Sequence, residues 1–62
     1  MKIDEQYSLN EIKSNGLIEK DVKDLDVKIF TSDQENKVYF FENIGNSIFR
    51  LYTVINKRSF FL

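Results

Sequence analysis

The chain has no cysteine, histidine, proline, tryptophan or alanine, and only two glycines in 62 residues. Without cysteine there is no disulfide, and without cysteine and histidine there is no conventional zinc site. The usual nucleophile–base pairs built on histidine or cysteine are excluded as well. No apolar run approaches the roughly 20 residues of a membrane-spanning helix. The polar, acidic start Met1-Lys2-Ile3-Asp4-Glu5 predicts no secretory leader, and the expected location is cytoplasmic. A chain this short buries only about 60% of its unfolded surface, so association with a partner or with itself is an expected source of added stability.

Charge is balanced but uneven. The net charge is −1. All ten acidic residues fall in the first 42 positions against six lysines, a balance of −4, while Arg50, Lys57 and Arg58 give +3 to the rest. This is too weak a field to steer the protein onto duplex DNA. The richness in Lys, Asn, Ile and Phe fits an AT-rich coding sequence, as in low-GC bacteria and their phages.

What is present is aromatic. Eight of the nine aromatic residues lie between Phe30 and Phe61. Before that stretch, Ser8-Leu9-Asn10-Glu11 reads as a capping box that starts a helix. Leu9 and Ile12 share its face, and Asn15-Gly16 stops it. Ile18, Val22 and Leu25 are spaced for a second short helix over Glu19–Asp24. From Leu25 the period becomes two. Leu25–Phe30, Val38–Phe41 and Ile48–Ile55 read as strands, on their alternation and their β-branched and aromatic content. Asp33–Asn36, Gly45-Asn46 and Lys57-Arg58 read as turns, with Phe60-Phe61-Leu62 closing the sheet. The expected fold is α+β, a single small domain over residues 1–62. One or two short N-terminal helices pack on a three- or four-stranded antiparallel β-meander.

Loops of even length fix the faces, because directly opposed residues share one. They place Leu25, Val27, Ile29, Val38, Phe40, Phe49, Leu51, Ile55 and Phe60 together, as a core covered by Leu9, Ile12, Leu17 and Val22. They place Lys28, Phe30, Tyr39, Phe41, Arg50 and Tyr52 on the other face, which one short helix cannot also cover. An exposed face of this kind marks an interaction site, and Tyr and Arg are enriched at interface hot spots. The alternative is that Phe30 and Phe41 complete a two-sided core, in a dimer or under the N-terminal segment.

Three other chemistries are weaker. Exposed Tyr39, Phe41 and Tyr52 beside Lys28 and Arg50 are the residue types that stack single-stranded bases, but no Gly-aromatic signature accompanies them. The spacing Leu9, Ile12, Gly16, Val22 has the rhythm of a helix-turn-helix, but Glu19–Asp24 carries three acids that phosphates would repel. Asp24, Asp26, Asp33 and Glu35 offer oxygen ligands without the spacing of a calcium loop. No catalytic or cofactor motif is present. The expected function is a non-enzymatic protein-binding factor, such as a phage or mobile-element inhibitor that occludes a larger host protein through the aromatic face or a strand edge. The alternatives are a small nucleic-acid-binding regulator and a structural homodimer.

Overall fold

The computed structural model describes residues 1–20 and 27–60. It contains one antiparallel five-stranded sheet and one short helix, so the protein is mostly β. The strands are β1 (Gln6–Ser8), β2 (Ile18–Lys20), β3 (Val27–Ser32), β4 (Lys37–Gly45) and β5 (Ile48–Asn56), in the order β1-β5-β4-β3-β2. The helix α1 (Leu9–Ser14) lies between β1 and β2 in sequence, and a single helical turn, α2 (Lys57–Phe60), follows β5.

α1 forms where the capping box predicts it. The Glu11 amide donates to Ser8 Oγ at 3.2 Å, and Glu11 Oε1 accepts from the Ser8 amide at 2.8 Å. Gly16 ends it at φ 81°, a left-handed conformation that costs glycine least. Ile12 is the residue the helix buries.

The N-terminal segment, ahead of the capping box, forms β1, paired with β5 through Gln6↔Arg50 and Ser8↔Ile48. Two expected elements differ. Ile18–Lys20 is an outer strand on β3 rather than the start of a helix; Val22 and the rest of that predicted helix lie outside the described residues, as do Leu25 and Asp26. The residues after Asn56 turn into α2 instead of a two-residue loop before a last strand, so Phe60 is not in the sheet; Phe61 and Leu62 lie outside the described residues.

The β3–β4 hairpin has the expected four-residue loop, Asp33–Asn36, closed by Ser32↔Lys37. It aligns Phe30 with Tyr39 and Ile29 with Phe40. The β4–β5 hairpin turns through Asn46-Ser47, with Gly45 opposite Ile48. Here the register is broken twice. Phe40 faces Thr53 but Phe41 faces Leu51, which leaves Tyr52 as an extra residue on β5. Asn43 faces Phe49 but Gly45 faces Ile48, which leaves Ile44 extra on β4. Each bulge shifts side-chain phase by one.

Between the bulges the faces therefore exchange partners. Leu51 and Phe49 join Phe41, Tyr39 and Phe30 under α1, and the cluster closes with Ile12 and Leu17. Phe41 sits at its centre with no exposed surface. Its ring meets Phe30 edge-on at 5.3 Å, Tyr7 edge-on at 6.4 Å and Tyr39 stacked at 6.4 Å. Such geometries suit the ring quadrupoles. Ile29 and Val38 on the opposite face are buried too.

Candidate protein-binding edge

The six residues predicted to bind a partner separate into two sets. Phe30, Tyr39 and Phe41 are core, so the expectation of an exposed aromatic face is corrected. The N-terminal segment covers that face rather than the aliphatic one: Ile12 and Leu17 pack there, with Leu9 at the margin. Tyr39 also points its hydroxyl out of the core to donate to Glu35 Oε1 at 2.6 Å, which pins the Asp33–Asn36 loop. Burial, then this bond to a carboxylate, pushes the phenol up to about 12.

Lys28, Arg50 and Tyr52 remain at the surface. Lys28 shares the aromatic face but lies at its rim, with Nζ 3.1 Å from Glu19 Oε2. Arg50 is moved to the other face by the bulge. Its guanidinium lies 2.5 Å from Asp4 Oδ1 and 2.7 Å from Glu42 Oε1, tying β1 and β4 across β5. The Glu42 hydrogen bond is the largest influence holding its proton more tightly than usual. Its Cζ sits 6.0 Å from the centre of the Tyr52 ring, within reach of a cation–π attraction. Tyr52 is 57% exposed, the most exposed of the large apolar side chains among the described residues.

Tyr52 also marks where β5 loses its outer neighbour. The Asp4 amide donates to the Leu51 carbonyl at 2.7 Å, and the Leu51 amide donates to the Glu5 carbonyl at 3.0 Å. Past Leu51, no strand pairs with β5 on that side among the described residues. The open stretch is Tyr52-Thr53-Val54-Ile55-Asn56, about 17 Å long at the usual rise. The Lys57 amide donates inward to the Asn36 carbonyl at 2.9 Å. Strand alternation then turns Ile55 and Thr53 toward β4 and presents the Val54 amide and carbonyl and the Asn56 amide outward, while the Asn56 carbonyl opens α2.

Natural sheets blunt their edges with charge, proline or brevity. β2, the other end of the sheet, is three residues long and carries Glu19 and Lys20. The stretch from Tyr52 to Asn56 has no charged residue and no proline. Nothing in the sequence signals this edge, because it exists only once β1 is known to stop short of the end of β5.

Other chemistry finds little support in the geometry. Among the described residues no three acidic side chains gather as a metal site, and Asp24 and Asp26 lie outside them. A shallow groove is lined by Ser8, Leu9, Asn10, Asn46, Ser47 and Ile48, a mixed polar and apolar set with no acidic or basic side chain. No described helix is long and apolar enough to cross a membrane. Comparison with protein-family models, curated proteins and solved structures gives no match.

Proposed function

We propose that this protein is a non-enzymatic binding factor that recognises another protein by strand addition at the β5 edge. In this mode main-chain hydrogen bonds supply affinity and flanking side chains supply selectivity. The observation that carries the reading is the uncharged stretch Tyr52–Asn56, unpaired on its outer side among the described residues, beside the exposed ring of Tyr52. Arg50, fixed by two carboxylates, orients that ring. An added strand would extend the sheet and occlude the segment it came from, as an inhibitor of a larger host protein requires. A base-stacking role loses its platform, because Phe30, Tyr39 and Phe41 are in the core.

Affinity capture from a lysate of the native host, with and without nuclease, tests this with two variants. Asn56→Pro deletes one outward amide at an edge position that tolerates proline. Asn56→Ala keeps the amide while losing the side-chain bond to the Arg58 amide. A protein retained by wild type and Asn56→Ala after nuclease, and lost with Asn56→Pro, supports the reading. Capture that survives Asn56→Pro unchanged, or that disappears with nuclease, overturns it.

A further inference from the structure

We propose that Asn15-Gly16 is a site of spontaneous chain modification that the end of α1 holds closed. Asn15 becomes aspartate or isoaspartate when that end of the helix opens.

The reaction needs only water and hydroxide. Hydroxide takes the Gly16 amide proton, and the nitrogen attacks Asn15 Cγ. The new C–N bond closes a five-membered imide ring. The Cγ–Nδ2 bond breaks, and Nδ2 takes a proton from water and leaves as ammonia. Water then opens the ring. Attack at Cγ restores the normal main chain with an aspartate side chain. Attack at the main-chain carbonyl routes the chain through Cγ and gives isoaspartate. One water enters, one ammonia leaves, and nothing is oxidised or reduced.

The sequence selects this position. Asn15 is the one asparagine followed by glycine, and glycine has no Cβ to crowd the attack. The space where a Gly16 Cβ would stand is open. Both residues are exposed, so water and hydroxide reach them.

The fold holds each reacting group back. The Gly16 amide donates to the Lys13 carbonyl at 2.9 Å, which secures the proton that must leave. Asn15 Nδ2 donates to the Glu11 carbonyl at 2.8 Å, which draws the side chain back over the helix. The main-chain torsion is wrong as well. Ring closure needs the Gly16 nitrogen to eclipse Asn15 Cβ about the Cα–C bond, about a third of a turn from the observed ψ of 6°. Reaction therefore requires the C-cap to unwind. α1 is six residues long and buries Ile12 alone, and helix ends are where opening costs least.

Conversion weakens the cap that prevented it. A carboxylate cannot donate to the Glu11 carbonyl, and it sets a negative charge at the negative end of the helix. Isoaspartate also adds a main-chain carbon just ahead of Leu17, which is buried in the core cluster.

Mass spectrometry of the chain aged in mildly alkaline buffer, with and without guanidinium chloride, tests this, with fragmentation that separates isoaspartate from aspartate. Conversion at Asn15 should be more than about tenfold faster in denaturant. Ser8→Ala removes the N-cap and should speed native conversion about fivefold while leaving the rate in denaturant unchanged; circular dichroism confirms that it is folded. Asn15→Gln, whose longer side chain disfavours ring closure, should stay unmodified at this position. Equal rates in the two solvents overturn the closed cap, as does a native rate indifferent to Ser8→Ala. Aspartate without isoaspartate overturns the ring step, and faster conversion at another asparagine in denaturant overturns the site.

Discussion

Phe41→Leu, compared with Tyr52→Ala, tests the assignment of faces most directly. Without the bulge at Tyr52 these two residues would be opposite each other on one face. In the structure Phe41 is fully buried among three aromatic rings, and Tyr52 is 57% exposed. Truncating a core Phe to Ala costs about 3–5 kcal/mol. A chain of 62 residues has a total stability of only about 3–9 kcal/mol, so Ala at position 41 would leave much of the population unfolded. Leucine keeps most of the volume but loses the ring contacts, for a cost of about 1–2 kcal/mol. In a domain of this size that lowers Tm by roughly 5–15 °C. Tyr52→Ala gives up exposed surface and a solvent-facing cation–π contact, and should cost less than about 1 kcal/mol. Urea unfolding followed by circular dichroism measures both, with an unchanged m-value showing that the unfolded state is the same. A Phe41→Leu cost below about 0.5 kcal/mol, or a Tyr52→Ala cost exceeding it, would refute the reasoning, because the rings would then be on the wrong sides.

Two further outcomes follow from the polar contacts. Arg50→Met keeps the aliphatic stem and removes both ion pairs, so amide hydrogen exchange should accelerate about two- to fivefold in β1, which Arg50 ties through Asp4, and hardly at all in β3. Tyr39 has its pKa raised from 10.0 to about 12, so its contribution is fully present below pH 10 and is lost as pH rises through about 12. Wild type should therefore lose stability across that window faster than Tyr39→Phe, which costs about 1 kcal/mol at neutral pH through the lost bond to Glu35; parallel slopes in urea titrations would show that the phenol is not the cause.

Local signals in this sequence were legible and long-range phase was not. Ser8 and Glu11 announce α1 because a capping box is complete within four residues. The Asp33–Asn36 loop has the expected length, so the expected grouping of Phe30, Tyr39 and Phe41 on one face holds. The same alternation holds at the far end of the β4–β5 pair, where Tyr39 meets Val54 and Val38 meets Ile55. It fails between the bulges, where Leu51 and Phe49 cross to Phe41 and Arg50 crosses away. No residue type demands a bulge at Tyr52, since its benefit is packing two apolar side chains into a cluster assembled from distant segments. The covering of that cluster was also illegible, because Leu9, Ile12 and Leu17 suit an aliphatic face as well as an aromatic one. β2 is not legible because Ile18, Val22 and Leu25 carry helical spacing, whereas pairing of Ile18 with Thr31 decides the conformation of Ile18–Lys20.

The bulge at Tyr52 links the core to the candidate edge. Before it, Ser47 and Leu51 turn their main-chain groups toward the N-terminal segment, bonding Leu9, Asp4 and Glu5. Had that phase continued, Thr53 and Ile55 would present their main chain outward, and Val54 would turn away from the cluster it now packs against. The extra residue shifts the phase, so Val54 keeps its side chain on the core while its amide and carbonyl, with the Asn56 amide, turn outward. The same insertion puts Leu51 beneath the helix and leaves the Tyr52 ring displayed at the mouth of the open stretch. Packing alone explains the first effect and gives no reason for an uncharged edge five residues long. That such an edge persists in a chain with 31% charged residues, while the β2 edge is short and charged, is the contrast on which the proposed binding role rests.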